Sequence, residues 1–303
     1  MSAAREPLYL LDGTLLFFRA LFGVPDIFHD DEGRPINGVR GYLVWLGNLL
    51  RGQVTGTPVR YCAAAFDESL TTCWRNDLYP AYKANRPPAD ENIGHQLDLC
   101  RSVTAGLGVP VLADLQWEAD DFIATLARRS RRPVVIVSRD KDLKQLLREE
   151  ISLLDPKDGS TTDHGAFRAE LGFAPTSYPD YQALTGDSVD NVPGVPGVGP
   201  KSAGRLIGCF GTLEALYDTA ADWSAAGIKR GSRMAERLEA SEEAAFLYRR
   251  ILRLDDRVPL PIGMAETRWR PPPRAEIQAR LGDLGLARGL GSNLNAALGA
   301  LGD

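Results

Sequence analysis

Apolar residues along this chain fall first into a short continuous run, Leu8-Tyr9-Leu10-Leu11, which stops at Asp12-Gly13. A run of that length, bounded by turn residues, predicts a strand buried on both faces. The next apolar stretch, Leu15 to Leu21 with Arg19 inside it, reads as a helix. Over residues 36 to 53, Val39, Tyr42, Leu43, Leu46, Leu49 and Leu50 recur at helical intervals and predict an amphipathic helix covering one side of a sheet. Tyr61 to Phe66 repeats the buried-strand pattern and ends on Asp67. A helix over 93–107, a short strand over 109–112, a helix opening at Glu118 and a strand over 133–138 follow. Strands and helices that alternate to about residue 155 predict an α/β fold with a mainly parallel central sheet covered by helices. Around Pro175 the pattern turns helical, and prolines dominate from Val258 to Pro273. A last amphipathic helix is expected near Ile277 to Leu286, before a Gly/Ala-rich end. The expected divisions are an α/β core over 1–175, a helical subdomain over 176–257, and an irregular Pro-rich tail over 258–303 whose final helix packs back on the core.

The polar interruptions of this pattern carry the candidate chemistry. Trp117-Glu118-Ala119-Asp120-Asp121 opens a helix with three carboxylates in four residues. Acidic residues favour helix N-termini because of the macrodipole, which is the bland account. Against it, acidic residues recur wherever a strand should end: Asp12, Asp67, Asp140 and Asp142, then Asp187 and Asp190 in a later loop. Converging carboxylates raise one another's pKa, so a fold that gathers them needs cations to hold them together. Oxygen-only ligand sets suit Mg²⁺ or Mn²⁺. Asp12-Gly13-Thr14 resembles the end of a phosphatase motif, but Leu10 stands where that nucleophile belongs, so a phosphoaspartyl route is not expected.

Two further stretches bear on partners. From Ser69 to Asn92 the hydrophobic period is lost, and Trp74-Arg75, Tyr79, Tyr82-Lys83 and Arg86-Pro87-Pro88 interleave rings with cations. That composition suits single-stranded nucleic acid, and suits a solvated connector equally well. The segment from Gly186 to Ala203 contains Gly-Val-Pro-Gly-Val-Gly-Pro-Lys, with Gly197, Gly199, Lys201 and Ser202 at a tight turn into a helix. Backbone amides and Lys201 there suit a phosphate backbone, the form of a helix-hairpin-helix. Lys229 and Arg230 make a second candidate phosphate contact. The run Arg128-Arg129-Ser130-Arg131-Arg132 reads as a solvated helix end.

Composition adjusts this picture only slightly. The 303-residue chain is 44% hydrophobic with formal net charge −5. A net negative charge argues on its own against a nucleic-acid partner, but an acidic metal site lowers the total while basic patches persist elsewhere. Cys62, Cys73, Cys100 and Cys209 are scattered, which suggests reduced, buried or semi-buried thiols rather than a zinc site or a disulfide framework. Neither a signal pattern nor a membrane-length apolar run is present, so a cytoplasmic protein is expected.

Taken together, Asp12-Gly13, Phe66-Asp67, Tyr82-Lys83-Ala84-Asn85-Arg86-Pro87-Pro88, Glu118-Ala119-Asp120-Asp121, Asp140-Lys141-Asp142 and the Gly-Asp-Ser to Gly-Pro-Lys segment resemble the 5′-nuclease family: the 5′-to-3′ exonuclease region of bacterial DNA polymerase I, phage 5′ nucleases and flap endonucleases. The resemblance implies a PIN-like core, a helical arch at about 69–92 and a helix-hairpin-helix-type duplex clamp, in a free-standing form that acts as a monomer. It implies two metal ions, one held by Asp12, Asp67, Glu118 and Asp120 with Asp121 in support, the other surrounded by Asp140, Asp142, Asp187 and Asp190. Lys83 with Asp120 and Asp140 would be the catalytic set. Arg19, Arg75, Tyr82, Lys83 and Arg86 would meet the DNA strand near its 5′ end, and the glycine loop, which can hold K⁺ in relatives, would meet the duplex. The implied activity is metal-dependent hydrolysis of DNA at 5′ ends, flaps and single-strand/duplex junctions. A non-catalytic DNA-binding module and a metal-dependent ribonuclease remain as alternatives. Two departures stand out: Arg139 where the family has glycine, beside the second-metal carboxylates, and Phe18 in place of tyrosine.

Overall fold

The computed structural model describes residues 5–69, 71–87, 90–218 and 223–303. Its centre is a six-stranded sheet: β1 (Leu8–Asp12), β2 (Cys62–Ala65), β3 (Val111–Leu112), β4 (Val134–Val137), β5 (Ile151–Leu154) and β6 (Thr161–Thr162), in the order β3-β2-β1-β4-β5-β6. All pairs are parallel except β5–β6. The helices are α1 (Gly13–Gly23), α2 (Asn37–Leu50), α3 (Trp74–Leu78), α4 (Glu91–Gly106), α5 (Ala119–Arg129), α6 (His164–Leu171), α7 (Tyr178–Thr185), α8 (Pro200–Phe210), α9 (Leu213–Asp218), α10 (Arg233–Ala240), α11 (Glu242–Leu252), α12 (Arg274–Asp283) and α13 (Ser292–Gly299).

The strand alternation divides the core in two. Leu8, Leu10, Ala63, Ala65, Val134 and Ile136 face one layer, where Phe122, Ile123 and Leu126 of α5 cover them. The same apolar cluster continues into Leu184, Leu206 and Leu238, so the helices after Pro175 share a core with the sheet. Tyr9, Leu11, Cys62, Ala64 and Val137 face the other layer, packed under α1, α2 and α4. Cys62 and Cys100 are buried, whereas Cys209 is exposed, contrary to the expectation of a buried or semi-buried thiol. The tail carries two helices where one was expected: Leu294 and Leu298 of α13 join Ile277 and Leu281 of α12 against the second layer. Its glycines and alanines had masked that helical spacing.

Strand order explains where a site forms. The chain leaves β1 toward β2 and β3, then returns to place β4 and β5 on the other side of β1. Crossovers diverge at that switch point and leave a crevice beyond the strands' carboxyl ends, between β1 and β4. Asp12 closes β1, and Ser138 follows β4. Close packing at the switch requires Gly13, because a Cβ there would lie 2.4 Å from the Phe66 ring.

Candidate metal and nucleic-acid site

The crevice opens into a cavity of about 620 Å³ lined by Asp12, Asp67, Glu118, Asp120, Asp140, Asp142, Asp187 and Asp190, with Lys83, Arg86, Lys141 and Arg19 among them. Carboxylates from five separate stretches of chain therefore meet in one place. Among the described residues no group of three already stands close enough to grip an ion. Each carboxylate is held by protein donors or by repulsion from its neighbours.

Local structure places each one. Asp12 caps α1, with Oδ1 accepting from the Leu15 amide at 2.9 Å and Oδ2 from Ser138 Oγ at 2.7 Å. Asp67 Oδ1 accepts from the Ala119 amide at 2.9 Å, joining the end of β2 to the start of α5. The Asp67 amide in turn donates to Thr14 Oγ1. The Ser138 hydroxyl also receives the Asp140 amide, and Asp140 Oδ1 receives the Asp142 amide. Asp142 accepts from Gln182 Nε2 on α7. Asp120 faces the cavity with no hydrogen-bond partner among the described residues.

The carboxylates divide into two electrostatic classes. In the outer class each has its own cation. Arg75 Nη1 donates to Glu118 Oε2 at 2.9 Å, and its Nη2 donates to Asp121 Oδ1 at 2.7 Å. Lys83 Nζ donates to Glu118 Oε1, Arg86 Nη2 to Asp190 Oδ1, and Lys141 Nζ pairs with Asp187 Oδ2 at 2.7 Å. Burial alone would raise Glu118, but Lys83 and then Arg75 overcome it and hold this carboxyl down to about 2. The inner class has no such partner. Burial, then the charges of Asp67 and Asp140, push Asp12 up to about 7. Burial followed by neighbouring carboxylates also raises Asp120 and Asp142 well above the usual range. Asp67 and Asp140 are raised too, again chiefly by burial.

This division tests whether divalent ions fit. Five inner carboxylates, all-oxygen donors crowded at the end of the sheet with no ion pair of their own and only the nearby charge of Lys83 acting on Asp67 and Asp140, suit two hard divalent cations in sign, number and ligand type. Asp121 does not belong to that set. Its oxygens are taken by Arg75, by Trp74 Nε1 at 3.1 Å and by the Asp255 amide at 2.9 Å, with no exposed surface left. It anchors Arg75 and does not line the cavity.

The 69–92 segment is a second correction. Arg75 is only 1% exposed and Tyr82 4%, so neither is a surface contact for DNA. Tyr82 OH donates to both Glu118 Oε2 and Asp190 Oδ2 at 3.0 Å, and its ring packs with Val192, Ile251 and Leu252. The ring-and-cation composition was legible, but these two side chains spend it on the carboxylates rather than on solvent. Pro88 lies outside the described residues. Arg139 lines the cavity beside Asp140 and Asp142, as expected, but its guanidinium pairs with Asp155 at 3.0 Å, so its charge is already engaged at the end of β5. Phe18 stacks on the exposed ring of Phe22 at the cavity mouth, beside Arg19.

The glycine loop follows Asp187, Val189 and Asp190, which line the cavity, but Gly197, Gly199, Lys201 and Ser202 do not line it. Asp187 and Val192 bridge across it, and Gly186 and Gly194 take positive φ where their backbones cross. A Cβ on Gly194 would sit 2.3 Å from the Gly186 nitrogen. Val195 and Val198 are buried and pin the turn, leaving Gly197, Gly199 and Lys201 exposed at the start of α8, with Ser202 half-buried. Lys229 and Arg230 are exposed just before α10. Sequence reasoning missed the supports Thr14, Ser138 and Gln182, and missed the part played by Lys141. Only Ser138, directly after a strand, carried a positional signal.

Residues 7–172 match the family described as 5′-3′ exonuclease, N-terminal resolvase-like domain, and residues 173–275 match its C-terminal SAM fold. A 5′-3′ exonuclease of Streptomyces coelicolor is 33% identical over 309 residues, covering 96% of this chain and 99% of that protein. DNA polymerase I of Rhizobium leguminosarum is 37% identical over 265 residues, covering 86% of this chain but 25% of the polymerase. The chain thus spans about a quarter of the polymerases it matches. Among solved structures, the T5 D15 protein co-crystallised with metal ions superposes with TM-score 0.67 at 17% identity, covering 98% of this chain and all of that one. The catalytic core of Rad2 with DNA substrate superposes with TM-score 0.61 at 16% identity, covering 99% and 93%. At those identities the likeness is one of fold. With both domain families matched in order and a full-length relative at 33% identity, the chain belongs to the 5′-3′ exonuclease family.

Proposed function

We propose that this protein is a divalent-metal-dependent 5′-to-3′ exonuclease and 5′-flap endonuclease that hydrolyses DNA phosphodiesters near 5′ ends and single-strand/duplex junctions. One observation carries the reading: five buried or half-buried carboxylates, none of them in an ion pair, converge at the sheet's switch point, beneath a rim of lysine and arginine. Mg²⁺ or Mn²⁺ held there would supply Lewis acidity and neutralise charge on the scissile phosphate. Asp12, Asp67 and Asp120 would hold one ion and Asp140 and Asp142 the other, with Glu118, Asp187 and Asp190 reaching them as their cations shift toward phosphate. Lys83, fixed in the left-handed region at φ 54° and already in the cavity, would place its ammonium on the phosphate's developing charge. Arg86 and Arg19 would meet the strand on either side. The loop at Gly197 and Gly199, with Lys201, Ser202, Lys229 and Arg230, would grip the duplex backbone without reading bases.

A labelled 5′-flap DNA incubated with Mg²⁺ beside its RNA counterpart tests this reading. Cleavage of the DNA that stops in EDTA is expected. Cleavage of RNA alone would point to a ribonuclease, and binding without cleavage of either would point to a non-catalytic module.

Lys201→Ala is expected to weaken binding to many duplex sequences alike, and to reduce the slope of log affinity against log salt by about one unit. An unchanged slope would remove Lys201 from the phosphate contacts.

A further inference from the structure

A second recess, of about 710 Å³, adjoins the carboxylate cavity and shares Leu254 with it. It begins beside Trp74, whose ring lies 4.6 Å from the Arg75 guanidinium, and runs along Ala124 and Ala127 of α5 to Ile151 at the start of β5. It therefore leads from the carboxyl ends of the strands toward their amino ends. Six arginines line it: Arg128, Arg148, Arg249, Arg250, Arg253 and Arg257. Only Asp255 and Asp256 oppose them there, a formal excess of four positive charges in a chain whose total is −5.

Some of these cations are already engaged. Arg249 holds Asp180 and Glu214, Arg128 and Arg257 lie against Asp256, and Arg148 donates to the Ala127 carbonyl. Arg250 and Arg253 are exposed, and among the described residues their side chains make no hydrogen bond or ion pair. Guanidinium forks suit phosphate oxygens, so the two unengaged arginines are the groups that would meet a strand there, while the rings of Trp74 and Phe246 in the same recess already carry Arg75 and Arg249. A recess of this size encloses a small stretch of one strand, within the ~300–1,000 Å³ range of pockets for small ligands, and not a duplex.

We infer that this arginine-lined groove holds the phosphates of the 5′ single strand beyond the point of cleavage, so that flap length is sensed on the far side of the carboxylate site. The inference rests on the nuclease reading above.

The test is the double variant Arg250→Gln/Arg253→Gln in the full chain, with Ca²⁺ present so that binding is read without turnover. Affinity is measured for a duplex with no flap, for a flap too short to pass Leu254, and for one long enough to fill the groove. The wild type is expected to bind the long flap more tightly than the other two. The variant should lose that gain, on the order of tenfold, and its salt slope on the long flap should fall by about 1.4, from two phosphates at ~0.7 each. Its affinity for the flap-free duplex should match the wild type.

An equal loss on all three substrates, or retention of the long-flap gain, overturns the groove. So does an acidic peptide that competes for the wild type better than a free single strand of equal charge, which would mark the groove as a protein-docking site. If the wild type cleaves flaps but gains nothing from their length, the groove falls while the nuclease reading stands. If it neither binds nor cleaves DNA, both fall.

Discussion

Asp120→Asn is expected to lower cleavage of a 5′-flap DNA in Mg²⁺ by on the order of 10³, taking the loss of one preorganised transition-state group as a floor. Flap binding in Ca²⁺ should survive, because the duplex grip at Lys201 lies elsewhere. The same variant should be more thermostable than the wild type in EDTA. Asp120 is half-buried and faces Asp140, Asp12 and Asp67 without an ion-pair partner, so removing its charge relieves repulsion in the metal-free fold. The stabilisation that Mg²⁺ confers on the wild type should shrink in the variant.

The pH dependence follows from the same groups. In EDTA, Asp12 keeps its proton up to about 7, whereas an unfolded aspartate releases it near about 4. Across that window the folded state binds more protons than the unfolded one, so metal-free stability falls as pH rises. Thermal melts across that range, with and without Mg²⁺, read both effects. An Asp120→Asn protein less stable than the wild type in EDTA would mean that the cluster is held by something other than added cations.

Arg75→Met is expected to destabilise the protein by about 3–5 kcal/mol, the usual cost of removing one partner of a buried ion pair. At ~2–4 °C per kcal/mol for a chain approaching this size, the melting temperature should fall by roughly 10 °C. The guanidinium has no solvent to return to: it donates to Asp121, Glu118 and the Ile251 carbonyl, and so ties α3 to the start of α5 and the end of α11. Without it Asp121 is left as a buried anion. A double variant Arg75→Met/Asp121→Leu removes both charges and should recover much of the loss, since an apolar replacement of a whole buried pair is often close to neutral. A single variant that melts like the wild type but binds single-stranded DNA more weakly would return Arg75 to the surface role its neighbours in sequence suggest.

Arg75 also shows why part of the site could not be read from the chain. A basic residue among aromatics looks the same whether it meets phosphates or carboxylates. What decides is the packing of residues 73–82 against α11, some 170 positions later, as in the hydrogen bond from Arg75 to Ile251. The α/β framework was legible for the opposite reason. Parallel strands buried on both faces leave uninterrupted apolar runs, and Leu8–Leu11 and Val134–Val137 each stand out within a few residues. Asp12, Asp67, Asp140 and Asp142 were legible because they follow such runs, and strand ends in a parallel sheet share one edge. Their separation into compensated and uncompensated groups depends on Lys141 turning to Asp187 and Arg86 to Asp190, which no spacing announces. In α13 the signal was drowned, since glycine and alanine bury little and leave Leu294 and Leu298 as its principal apolar markers.

Occupation of the inner carboxylates by divalent ions is measured directly by anomalous scattering from crystals soaked in Mn²⁺ with a 5′-flap DNA. Two Mn²⁺ peaks are predicted in the cavity beyond β1 and β4, the first bounded by Asp12, Asp67 and Asp120 and the second by Asp140 and Asp142. A cavity without Mn²⁺ while the DNA is bound, or Mn²⁺ found only at exposed carboxylates, would contradict it.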